Sequence, residues 1–142
     1  VTLPRRATAA DAPALEEFRA HATSLIKEHR GGKALLADLP LERLLKDAVV
    51  AGALWVCEDA LGLSGAILAW PEGAATRFAL WVHPRARRQG RGRALARCVL
   101  DTMNQEGTQE IDALALPGDR AMKQLLESLG FKARLLVMRQ GG

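Results

Sequence analysis

The run Trp81-Val82-His83-Pro84-Arg85-Ala86-Arg87-Arg88-Gln89-Gly90-Arg91-Gly92-Arg93-Ala94-Leu95 constrains this chain more than any other stretch. An apolar, strand-like end meets a proline, then arginines interrupted by two glycines, then the start of an amphipathic helix. The first N–H groups of a helix lack intrahelical acceptors and carry partial positive charge, so a carboxylate is their usual companion. Here the positions hold Arg91 and Arg93. Cations at that end are locally unfavourable unless an anion neutralises them. The glycines let the backbone turn tightly and let a bulky anion reach the bare amides. The stretch therefore reads as strand, anion loop and helix, with the loop sized for a diphosphate.

The rest of the composition supports a local site. A chain of 142 residues, 49% hydrophobic, suits one folded domain over residues 1–142 with a real core. The formal charge of +4 is concentrated in the arginine loop, which points to a local anion site ahead of a general nucleic-acid surface. Cys57 and Cys98 form neither a disulfide framework nor a zinc spacing, and they read as buried, reduced thiols of a cytoplasmic protein. Neither a signal peptide nor a membrane span is expected, and no metal site is read.

Along the chain, helix and strand patterns alternate, which predicts a mixed α/β domain. Thr8-Ala9-Ala10-Asp11 resembles a capping box, with Asp11 in place of the usual Glu or Gln. The helix it opens should run to about Glu28, with Leu15, Phe18, Ala22, Leu25 and Ile26 as its apolar stripe, and end at Gly31-Gly32. A shorter helix is expected from Leu41 to Val49. Strands follow at Ala53–Cys57, Leu63–Trp70 and Arg77–Val82, and their short connections imply antiparallel hairpins. The helix after Gly92 should end near Gln105. A buried strand is expected from Ile111 to Leu116, a helix capped by Asp119 and closed by Gly130, and a last strand from Ala133 to Met138.

Taken together, Leu80-Trp81-Val82-His83-Pro84, Arg87-Arg88-Gln89-Gly90-Arg91-Gly92 and Arg93-Ala94-Leu95 resemble the central motif of the GNAT superfamily of N-acetyltransferases, Arg/Gln-x-x-Gly-x-Gly/Ala after a strand ending in Val-x-Pro. Asp119 through Leu125-Leu126-Glu127-Ser128-Leu129-Gly130-Phe131 is similar to the second motif, and Arg6-Ala7-Thr8-Ala9-Ala10-Asp11 to the usual opening. The likeness spans essentially the whole chain. It implies an α/β (α+β) GNAT fold: a mixed, mostly antiparallel central sheet with helices on both faces. It also implies acetyl-CoA as cosubstrate. The diphosphate would sit on the amides of residues 88 to 93, drawing in Arg87, Arg88, Gln89, Gly90, Arg91, Gly92 and Arg93. Backbone groups of Leu80, Trp81 and Val82 would hold the pantetheine arm like an added strand, one amide polarising the thioester carbonyl. Asp119, Met122 and Leu126 occupy positions where the last helix of the family meets the coenzyme.

The catalytic groups are harder to place. Direct acyl transfer needs a neutral amine, a route for its proton and a proton for the departing thiolate. Family members often take that last proton from a Tyr. The matching residue here is Leu126, and the chain contains no Tyr. Some relatives carry a Glu on the strand before the loop, but Thr76-Arg77-Phe78-Ala79 has no carboxylate. The candidates left are Glu28, His29, Glu72 and Ser128. His83 reads as structural. The expected activity is transfer of an acetyl group from acetyl-CoA to a primary amine on a small molecule or peptide. The alternative is an acyl-CoA-binding sensor that turns nothing over. Few aromatics accompany the arginines, which argues against a nucleic-acid arm. A homodimer and the identity of the acceptor stay open.

Overall fold

The computed structural model describes residues 3–141. Five strands form one sheet in the order β1-β2-β3-β4-β5: Arg5–Arg6, Leu54–Asp59, Gly62–Glu72, Ala75–Val82 and Ile111–Ala113. The first three pairings are antiparallel and β4–β5 is parallel. The helices are α1 (Ala12–Ile26), α2 (Gly32–Ala37), α3 (Leu41–Ala51), α4 (Arg91–Gln105) and α5 (Arg120–Ser128). The mixed, mostly antiparallel sheet with helices on both faces is thus the fold that the sequence implies. No helix among the described residues is long and apolar enough to cross a membrane.

Alternation along the strands sorts the side chains into two cores. Leu54, Val56, Ala66, Leu68 and Trp70 pack with Leu15 of α1 and with Leu44 and Ala48 of α3. Trp55, Cys57, Ile67, Ala69 and Phe78 pack with Leu95, Ala96, Val99 and Met103 of α4 and Leu126 of α5. Trp55 and Trp70 are core residues. Cys57 is buried and Cys98 half-buried; both thiols are free, and burial pushes both above their ordinary pKa.

Several local expectations change. The first helix opens through a 3-10 turn, Ala9–Asp11, in which the Asp11 carboxylate accepts the Thr8 N–H at 2.7 Å. Gly31 does not simply end a helix: at φ +79° it starts the short α2, which the pattern did not show. The expected strand Ile111–Leu116 stops at Ala113 and is half-exposed. The expected strand Ala133–Met138 does not form. Leu135, Leu136, Val137 and Met138 are 72–85% exposed and lie along no strand. An apolar run has strand character only where an edge receives it, and within this chain none does.

Candidate functional site: an amide-lined loop at a split in the sheet

β4 and β5 pair only over Thr76–Ile111, Arg77–Asp112 and Phe78–Ala113, then separate. Beyond Phe78, one edge of β4 faces a cleft. The direction of its backbone groups follows from two hydrogen bonds: His83 N–H donates to Ser64 O of β3 at 2.8 Å, and Thr76 N–H donates to Glu110 O on the β5 side at 2.9 Å. Strand groups alternate. Odd-numbered residues therefore bond to β3, and the N–H and C=O of Leu80 and Val82 face the cleft. Trp81 is committed to β3 through its backbone, opposite Ala66. Its indole is its contribution to the site.

At the end of β4 the chain turns through a 3-10 turn, Pro84–Ala86, into the arginine loop. His83 Nδ1 accepts the Arg85 N–H at 3.2 Å, which makes that nitrogen the unprotonated one. Burial first, then the neighbouring Arg85 and His21, hold the imidazole below its ordinary pKa. It is the structural cap that the sequence suggests. Arg88 has φ +64°, the sole non-glycine positive φ among the described residues, and Gly90 follows at +77° as the N-cap of α4. Two left-handed residues separated only by Gln89 turn the backbone sharply ahead of α4. Among the described residues, none of the six N–H groups from Arg88 to Arg93 donates to a protein acceptor; the first regular bond is Ala94 N–H to Gly90 O at 3.0 Å. No acidic residue lies in the first turn of α4. Gly92 packs tightly there. A Cβ built on it would lie 3.2 Å from Leu125 Cδ2 and 3.6 Å from Val82 Cγ2.

The arginines divide into braces and an open one. Arg85 reaches back to Asp59 (3.0 and 3.1 Å) and to Leu63 O (3.0 Å), fastening the loop to the β2–β3 turn, and it holds the Asp59 carboxyl below its usual pKa. Arg91 bonds to Gln89 and, at 3.5 Å, to Ala86 O. Arg93 bonds to Ser128 Oγ at 2.6 Å, and Arg87 to Val82 O at 3.2 Å. Only Arg88 has a side chain with no hydrogen-bond partner among the described residues of the loop arginines. The sequence separates arginines that reach a ligand from those that face water only in general terms; bracing by distant partners is not legible in it.

The remaining candidates scatter. Glu72 accepts Trp70 Nε1–H at 3.2 Å at the β3–β4 hairpin tip. Its partner in register, Ala75, lies five residues from Leu80, about 17 Å along the strand. Ser128 donates its only hydroxyl proton to Leu125 O at 2.6 Å while accepting from Arg93. Glu28 and His29 are exposed in the turn after α1. The end of that turn lies against the segment that follows β5, since a Cβ built on Gly31 would lie 3.5 Å from Pro117 Cδ. Asp119 caps α5 by accepting Met122 N–H at 3.0 Å, Met122 lies half-buried against the α4 core, and Leu126 is inside that core.

An aromatic group whose assembly the sequence does not show stands beside the cleft. Trp81 meets Phe18 edge-on at 5.0 Å between ring centroids, and His21 stacks on His83 at 4.7 Å. Phe18 and His21 are three apart on α1, a spacing that marks one helix face, but nothing in the sequence says that this face meets β4.

The comparisons agree with this geometry. The family model of the acetyltransferase (GNAT) domain matches residues 51–133, which hold β2 to α5 and the whole arginine loop. The chain belongs to the GNAT acetyltransferase family. Three solved structures illustrate the likeness. The ribosomal-protein-alanine N-acetyltransferase from Brucella melitensis has a TM-score of 0.70 and 21% identity over 92% of this chain and 84% of its own. The putative acetyltransferase yncA from Salmonella typhimurium, solved with acetyl-CoA, has a TM-score of 0.71 and 21% identity over 94% and 81%. A predicted acetyltransferase from Clostridium acetobutylicum, also with acetyl-CoA, has a TM-score of 0.68 and 14% identity over 99% and 96%. At these identities the likeness is one of fold. No curated protein sequence matches the chain.

Proposed function

We propose that this GNAT domain transfers the acetyl group of acetyl-CoA directly to a primary amine. The observation that carries the reading is the row of six unpartnered amides, Arg88–Arg93, opening beside a strand edge where both backbone groups of Leu80 and the N–H of Val82 are also unused, the Val82 carbonyl accepting from Arg87. The amides and the helix start suit a diphosphate. Arg88 is the side chain able to follow it. The edge of β4 suits an extended arm carrying amide groups, which would bond to it as a strand does. When bound, the coenzyme supplies an electrophilic acyl carbon and a thiolate leaving group.

The chain's own residues then position, shield and desolvate. Trp81 and Leu114, just past the last β4–β5 pair, line a cavity whose walls are almost wholly apolar. Such a wall disfavours an ammonium ion and admits the amine as its neutral form, which removes the need for a strong protein base. That matches the dispersal of Glu28, His29 and Glu72. It also makes the rate climb with pH toward the pKa of the amine itself. The thiolate is protonated by water, because Tyr is missing and the Ser128 proton is engaged.

The same two gaps, no Tyr and no carboxylate on β4, favour a second reading as an acyl-CoA-binding sensor without turnover. Calorimetry with acetyl-CoA and a thiol-release assay across a panel of amines separate the two. Binding with release supports the transferase. Binding without release from any amine supports the sensor. Absence of binding removes both.

A further inference from the structure

The cavity beside Trp81 identifies a class of acceptor. It has a volume of about 110 Å³ and lies between α1, α2 and the sheet. One end is formed by Leu80, Trp81 and Leu114, where β4 and β5 part. The other end is formed by Leu36, Leu39 and Leu41, which also line a wider surface recess of about 520 Å³. The two spaces are therefore neighbours with common walls, Arg19 included.

The recess is cationic. Arg19, Arg43 and Lys46 line it, and its one carboxylate, Glu42, is 3.2 Å from Arg19. Arg19 is further bonded to Glu16, which Lys46 also attracts, so the three cations there face two carboxylates and Arg43 is the least compensated. Thr23 Oγ1, on the same wall, is buried without a hydrogen-bond partner.

On the basis of the transferase reading above, we infer that the acceptor is a slim apolar amine with a carboxylate at its far end. The amine would lie by Leu80 and Leu114, the apolar body in the cavity, and the carboxylate by Arg43 and Lys46. The cavity is smaller than the roughly 150 Å³ that accommodates benzene. It suits an aliphatic chain of about four carbons. Polyamines and other polycationic amines are disfavoured, because their second ammonium would have to sit among cations.

An isosteric series tests this: 5-aminopentanoate, pentylamine and 1,4-diaminobutane, which place a carboxylate, a methyl group or an ammonium at the same distance from the amine. Binding is read by tryptophan fluorescence of the whole chain. Trp81→Phe identifies the signal from the cavity, since Trp55 and Trp70 are buried in the cores. The expected order is carboxylate, then methyl, then ammonium, with at least tenfold between the first and last. Arg43→Glu with Lys46→Glu, both exposed positions, reverses it. Equal or tighter binding of the diamine overturns the inference, as does a series that leaves the Trp81 signal unmoved. Acetyl-CoA calorimetry on the same sample tests the coenzyme reading separately. Loss of coenzyme binding with the amine order intact removes only that earlier reading. Normal coenzyme binding with a reversed order removes only this one.

Discussion

Against the α4–α5 face of the sheet, Phe78, Leu95 and Val99 are at most 1% exposed. Against the α1–α3 face, a cavity remains among Phe18, Leu35, Leu45 and Trp81. The dense face fixes β4, the start of α4 and the arginine loop relative to one another. The looser face holds the proposed acceptor space. The part that grips a constant ligand has to be rigid, whereas the part that selects a variable one needs room, and room means lost packing contacts.

Truncating one side chain on each face tests this contrast most severely. Phe78→Ala should cost about 3–5 kcal/mol, a large share of the stability of a domain this size, and Leu45→Ala, beside an existing void, roughly 1–2 kcal/mol. Denaturant unfolding of both variants measures the difference, and equal losses would mean that the faces are packed alike. Next in size is the split between braces and the open arginine. Arg88→Ala should weaken acetyl-CoA binding about tenfold, ~1.4 kcal/mol, with an unchanged melting temperature. Arg85→Ala, which releases Asp59, should lower the melting temperature as well. Calorimetry and thermal melts on the pair decide it.

A smaller effect is expected at the start of the chain. Hydrogen bonds from Arg5 and from Thr8 N–H lower the pKa of Asp11 from 3.8 to about 2. Because the folded value is depressed, its contribution is complete above about pH 4 and disappears as pH falls through about 2. Asp11→Asn should cost about 1 kcal/mol at neutral pH, the surface ion pair adding little, and should flatten the acid limb of the stability curve between those values. The smallest effect is predicted for Glu72→Gln at the hairpin tip, which should leave kcat/KM for any accepted amine unchanged. A tenfold loss there would restore Glu72 as a base and move the reacting centre away from Trp81.

Much of this was legible because it is local. The stripe of α1, the hairpins, the caps of α5 and the amide loop follow from periodicity, glycine placement and the chemistry of helix ends, and all of these are written in neighbouring residues. What escaped is relational. α2 has six residues between Gly31 and Pro40, too few to display a period. The parting of β4 from β5 depends on where β5 stops, and Leu114 and Leu116 look as strand-like as Ile111. The bracing roles of Arg85 and Arg91 depend on partners far away in sequence or on loop geometry. Phe18, His21, Trp81 and His83 meet only because α1 lies across β4. Leu135 to Met138 mislead for the same reason, since composition cannot show that no edge receives them.

The early end of β5 has a consequence beyond catalysis. A sheet left unfinished on one side is completed by whatever runs along Leu80 and Val82, so the occupied fold outlasts the empty one. At one hundred times its dissociation constant, a ligand of the native state adds about 2.7 kcal/mol to unfolding. The survival of this chain against heat and proteases should therefore rise and fall with the local supply of acyl donor, coupling its abundance to the metabolic state around it.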